Sequence, residues 1–150
     1  MTNRPLVFGA AIGVLDRDVK HGWGARTETE VALVEVGALW IVCVPGELYP
    51  EIAVGGIVNP EGADYEMEPL EVPPLRSAMH GRVNMMVNLA NDALGYLIPK
   101  SEWDASRPYL YGAREDTYGE IVSAGPDTAR LVHGALLELF AEAKRAAPAP

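Results

Sequence analysis

Apolar residues in this chain fall into runs whose spacing predicts a hairpin, a further strand and a terminal helix. Glu30 to Val36 and Leu39 to Val44 are two runs rich in β-branched residues, separated by Gly37-Ala38. A glycine at the first central position fits a type II′ hairpin turn. The second run, Leu-Trp-Ile-Val-Cys-Val, has no polar alternation and is expected to be covered on both faces. Pro45-Gly46 stops it, because proline lacks a donor and glycine permits a sharp turn. Val83 to Leu89 returns to strand character, with Val83, Met85, Val87 and Leu89 on one face and Asn84 and Asn88 on the other. Asparagine is poor in a free strand, so these amides are expected to have specific partners. The last element is a helix. Pro126 suits its first position and Asp127 the positive end of its dipole. Val132, Ala135, Leu136, Leu139, Phe140 and Ala143 form its apolar stripe, and Lys144 and Arg145 complement its C-terminal end.

The segments between are less regular. Pro5 to Val19 is apolar and Gly-rich, then charged; it suits a short helix, although Gly9 and Gly13 weaken one. His21-Gly22-Trp23-Gly24 reads as a loop, and Glu47 to Ala53 as a short helix. Residues 57–78 hold Pro60, Pro69, Pro73 and Pro74 with Glu61, Asp64, Glu66, Glu68 and Glu71, a pattern expected of a solvated loop. A loop of that length in a small domain is often functional. Asn91-Asp92 breaks the Val83–Leu89 strand, Ala93 to Ile98 is ended by Pro99, and residues 100–120 read as a loop rich in Tyr and Pro. The order predicts a mixed α/β (α+β) domain: a β-hairpin and a further strand in a sheet packed by a C-terminal helix. One domain over residues 1–145 is expected, with a frayed Ala/Pro tail at 146–150.

Composition narrows the function classes. The chain has 150 residues, 49% hydrophobic and 22% charged, with a formal net charge of -9. The apolar fraction excludes a disordered chain, and the acidity argues against nucleic acid and anionic membranes as partners. No run approaches the ~18 apolar residues of a transmembrane helix. The first residues lack the pattern of a signal peptide, which makes the cytoplasm the default location. Cys43 is the one cysteine and is expected to be a buried strand thiol.

Candidate chemistry is sparse. There is no Gly-rich phosphate loop, HExxH, CxxC or nucleophile elbow. His133 lies beside the apolar stripe of the last helix, which suits a structural or surface role. His80 precedes a strand and His21 sits among glycines; each is a possible ligand, and His80 with Glu47 is one metal-binding combination. The other pattern is polar residues just past strand ends: Glu47 after one strand, Asn91, Asp92 and Tyr96 after another. If those strands run parallel and adjacent, these groups converge on one edge. A carboxylate is an ordinary zinc ligand and a phenolate a rare one. Glu47 equally suits a helix N-terminus, and Tyr96 a core aromatic with a bonded hydroxyl.

Three blocks occur in order: Val44-Pro45-Gly46-Glu47, then Asn88 to Tyr96 (Asn-Leu-Ala-Asn-Asp-Ala-Leu-Gly-Tyr), then Tyr118 to Pro126 (Tyr-Gly-Glu-Ile-Val-Ser-Ala-Gly-Pro). Together they resemble the latter part of the catalytic domain of neutral/alkaline (non-lysosomal) ceramidases, in particular short bacterial relatives, over roughly residues 30 to 140. The resemblance implies a partial catalytic domain of a zinc-dependent amidase that cleaves an N-acyl amide through zinc-activated water. It implies that Glu47 and Tyr96 are zinc ligands and that Tyr118 contacts the substrate carbonyl. An amide-containing, lipid-like substrate is expected.

The chain departs from that pattern. The histidine ligands and the serine–histidine-rich region of the family lie earlier in its domain and have no counterpart here. Asn88 stands where relatives carry glycine, and insertions lengthen both intervals between the blocks. Zinc needs about three protein ligands and an open position. The chain is therefore expected to be the C-terminal portion of a split or truncated hydrolase, inactive without the histidine-bearing part. A non-catalytic subunit or interaction module is the alternative. Either reading expects homo-oligomerisation or an N-terminal partner chain to cover exposed apolar surface.

Overall fold

Paired strands organise the chain into three small sheets with a long helix across one of them. The computed structural model describes residues 19–22, 24–115 and 117–146, with side chains from residue 28 onward. Strands β1 (Val19–Gly22) and β2 (Gly24–Thr27) pair antiparallel, so the segment around His21, expected as a loop, is a hairpin. Apart from Val19, the short helix expected over residues 5–19 lies outside the described residues. So does the tail beyond Ala146.

The expected hairpin is present. β3 (Ala32–Val36) and β4 (Leu39–Cys43) pair antiparallel with Val36 opposite Leu39, and Gly37 takes the positive φ (+58°) that a type II′ turn needs. β6 (Val83–Val87) lies parallel to β4, giving the order β3-β4-β6. Past Cys43, β5 (Glu47–Leu48) pairs in parallel with β7 (Tyr96–Leu97). Helix α1 (Pro50–Val54) begins only after this strand, with Pro50 in its first turn. The helix expected over Glu47–Ala53 is thus a strand followed by a helix, because the proline ring suits a helix start and the Glu47 and Tyr49 amides are held by β7. α2 (Leu75–Ala78) and α3 (Tyr118–Ile121) are single turns, and α4 spans Thr128–Ala146. The architecture is mixed α+β. Among the described residues, no helix is long and apolar enough to cross a membrane.

The core lies between the sheet and α4. Trp40, Val42 and Val44 are buried with Leu136 and Phe140, and the Trp40 and Phe140 rings meet at 5.9 Å. The buried stripe of α4 is Ala129, Val132, His133, Leu136 and Phe140. It is rotated from the expected one, with Ala135 exposed and His133 buried. His133 ties the helix to the long loop through its Nε2, 2.9 Å from the Pro73 carbonyl oxygen. Asp127 precedes the helix, its carbonyl accepting the Leu131 amide at 3.1 Å. Its carboxylate meets Lys100 Nζ at 2.9 Å.

Coverage of β4 on both faces is not what the fold provides. Trp40 and Val42 face the helix, while Leu39, Ile41 and Cys43 face away and are only partly covered. Register partners share a face, so Asn84 and Met86 join the helix side and Val83, Met85 and Val87 point outward. The apolar face of β6 is therefore its exposed face, and Cys43 is half-buried rather than buried. Asn84 also departs from expectation: its Oδ1 is buried and has no hydrogen-bond partner.

The acidic Pro-rich loop is only partly solvated. Glu61, Glu66 and Glu68 are exposed, but Glu71 is fully buried. The Glu71 Oε1 accepts the Lys100 amide at 3.4 Å, and its Oε2 has no partner. The loop is stitched to the 100–105 segment. The Val58 amide donates to Glu102 at 2.8 Å, Ser101 Oγ to the Val58 carbonyl at 2.8 Å, and the Ala105 amide to Asp64 at 2.9 Å. Backbone donors with no sheet partner find side-chain acceptors instead.

Candidate functional site

The three sequence blocks meet just past the C-terminal ends of the parallel strands β4 and β6. The Leu94 amide donates to the Pro45 carbonyl at 2.8 Å, the Ala90 amide to Val44 at 2.9 Å, and the Glu47 amide to Gly95 at 2.9 Å. Two glycines permit this approach. A Cβ at Gly46 would lie 2.6 Å from the Gly95 carbonyl oxygen. A Cβ at Gly95, where φ is +84°, would lie 1.6 Å from the Val122 carbonyl oxygen. The first block thus packs on the second and the second on the third, which an ordinary side chain at either position would prevent.

This packing places the candidate residues together. Glu47 and Tyr96 are partners in the β5–β7 register. The Tyr118 ring, at the start of α3, meets the Tyr96 ring at 5.9 Å and 73°. On the other side Tyr49 meets Tyr96 at 6.2 Å and 80°. Tyr118 is 69% exposed, whereas Glu47, Tyr49 and Tyr96 are partly buried, so the cluster opens to solvent on the Tyr118 side.

The electrostatics are uniformly negative. The Glu47 carboxylate beside Tyr96 raises that phenol above its ordinary value, with burial, hydrogen bonding to Glu47 and the Tyr118 neighbour adding to the effect. Burial pushes Tyr49 up to about 12, aided by Glu120, Glu102, Tyr96 and Glu51. Glu120 also accepts the Asp104 amide at 3.1 Å, fixing α3 against the 100–105 segment. Both phenols are held neutral, and a positive charge between Glu47 and Tyr96 would reverse that preference for Tyr96.

The remaining candidates lie elsewhere or serve the backbone. Asp92 accepts the Ala93 amide at 2.7 Å and Asn91 takes φ +72°, so both shape the turn into β7. His80 packs edge-on against Trp40 at 6.0 Å, near the start of β4. Glu47 lies beyond its end, roughly 20 Å along an extended chain. His80 and Glu47 therefore do not form the metal-binding combination considered from sequence. His133 is a structural residue, and the His21 side chain lies outside those described. Among the described residues, no group of three or more His, Cys, Asp or Glu converges as a metal site. Glu47 and Tyr96 offer two oxygen donors where a catalytic zinc takes about three protein ligands. They fit half a site and do not complete one.

Sequence reasoning missed Tyr49 and Glu120. Tyr49 follows Glu47 by two residues, the spacing that returns a strand to the same face, and this signal was available. Glu120 carries none, because it reaches Tyr49 through the packing of α3. Comparison with protein families, with curated proteins and with solved structures gives no match for this chain.

Proposed function

We propose that this chain is the C-terminal portion of a zinc-dependent amide hydrolase, resembling neutral ceramidase and completed by a histidine-bearing chain. The juxtaposition of Glu47, Tyr96 and Tyr118 carries the reading: three residues from separate blocks form one cluster with a solvent-facing side. Glu47 and Tyr96 would hold the metal. When bound, zinc supplies Lewis acidity toward an amide carbonyl and its water. Tyr118 would donate its hydroxyl to the carbonyl oxygen as negative charge grows there. Tyr49 stays neutral and walls the cluster on its inner side, while Glu120 anchors α3 and so the position of Tyr118. The negative rim favours a neutral or cationic substrate head over an anionic one.

The test is co-expression with the product of the gene immediately upstream, followed by zinc analysis and an N-acyl amide hydrolysis assay. The expected result is a complex with stoichiometric zinc and measurable hydrolysis. Glu47→Ala and Tyr96→Phe should lose zinc, and Tyr118→Phe should keep zinc while losing about 10²-fold in kcat. Absence of both association and zinc would reject the proposal.

The incomplete donor set favours one alternative, a non-catalytic subunit or interaction module that keeps the fold without the metal chemistry. Glu47→Ala would then alter stability alone, and no partner would bring activity.

A further inference from the structure

We infer that the outward face of the β3-β4-β6 sheet is a self-association surface, and that its occupant is the same face of a second copy of this chain. Val34, Val36, Val83, Met85 and Val87 are 47%, 60%, 59%, 51% and 38% exposed on this face. Leu39, Ile41 and Cys43 of the central strand lie between them, with Ala32 completing the register. None of the residues at these register positions is charged. An open sheet normally alternates apolar-in and polar-out; here the outward register positions are apolar as well, and α4 packs on the opposite face.

Size and chemistry select the occupant. The exposed side chains present about 500 Å² of apolar surface, near the upper end of what a monomer's largest patch shows. Two copies face to face would remove about 1,000 Å² from water, the lower bound for a specific interface. A face with no charge and no hydrogen-bonding pattern gives a different protein little to select. It does complement itself about a two-fold axis, as two sheets do in a sandwich. The face is roughly 14 Å across its strands, which a second three-stranded sheet matches and one extended segment does not.

The experiment uses the full chain and its one cysteine, Cys43, on the central strand at the C-terminal end of the face. Sedimentation equilibrium gives the mass, and a maleimide reports Cys43 reactivity across protein concentration. We expect a dimer whose Cys43 reacts at least about tenfold more slowly at high concentration than on dilution, as a two-state association requires. Met85→Lys and Val36→Lys, at exposed positions on the two edge strands, should each give a monomer with unchanged circular dichroism and fast Cys43 labelling. A thermal midpoint that rises with wild-type concentration tests the dimer even if a variant misfolds. Three results overturn the inference. One is a wild-type monomer with reactive Cys43. The second is a monomer with protected Cys43, which would mean that the chain covers its own face. The third is a dimer that survives both lysine substitutions, which would place the interface elsewhere.

Discussion

Glu47 and Tyr96 lie opposite each other across the parallel β5–β7 ladder, and the carboxylate raises the phenol above its ordinary value. The proton that Tyr96 keeps is the one a bound cation must displace. On the proposed function, metal uptake by the completed complex therefore releases a proton. Zinc affinity measured by competition with a chelator should rise with pH across about pH 6 to 8. Proton release on zinc addition, followed with a pH indicator, checks the same linkage and should be absent in Tyr96→Phe, which takes up no zinc.

Tyr49 sets a limit on alkaline stability. Its phenol is pushed from 10.0 in the free residue to about 12, so the native state favours the neutral form. A raised value contributes stability that is fully present below the unfolded value and is lost as pH rises through the folded one. Urea midpoints should therefore fall between pH 10 and about 12. Tyr49→Phe should flatten that fall while leaving the ultraviolet titration near pH 10 unchanged, because the Tyr49 phenol ionises only above it.

Glu102 is raised by burial and by the charges of Glu51 and Glu71, against the lowering effect of the Val58 amide. Its stabilising contribution is present at low pH and declines as pH rises through its native value. Glu102→Gln keeps an oxygen for the Val58 amide and removes the charge. It should stabilise the protein by about 0.5–1 kcal/mol at pH 7, the scale of one net hydrogen bond or less. The gain should shrink toward pH 4, where the wild-type carboxyl is itself neutral. Urea unfolding at both pH values reads the difference.

Gly95 and Gly37 both have positive φ, and space separates them. An alanine Cβ at Gly95 would overlap the Val122 carbonyl oxygen, whereas nothing lies within 4 Å of one at Gly37. Gly95→Ala should cost about 3 kcal/mol or more and loosen the third block from the second. Gly37→Ala should cost only the backbone term of about 1–2 kcal/mol. Denaturant midpoints at equal m-value distinguish the two.

His133 and His80 should differ in the same way. His133→Leu leaves the buried end of the Pro73 carbonyl interaction unmet and should destabilise by about 1–3 kcal/mol. His80 is exposed and touches the edge of Trp40, so His80→Ala should stay within about 0.5 kcal/mol. Neither change should alter metal uptake by the complex.

Local signals carried much of the fold. The β-branched runs around Gly37 determined the hairpin, and the 3.6-residue spacing of Val132, Leu136 and Phe140 determined the helix and its apolar side. Both depend on neighbours within a few residues, which is the range that propensity and turn chemistry cover. The order of the three blocks pointed to Glu47, Tyr96 and Tyr118 together.

Only the tertiary structure decided which faces are covered and which groups meet. Val83, Met85 and Val87 share a face by period alone, but that face is open because the register beside β4 gives the helix side to Asn84 and Met86. Glu71 sits in a charge run and is fully buried because the 100–105 segment closes over it. Glu120 reaches Tyr49 and Glu47 reaches Tyr96 across long stretches of chain, through carbonyl contacts at glycines whose missing side chains say only that something approaches. Spacing along a chain encodes which residues share a side. What lies against that side depends on distant segments, and their arrival is settled by packing.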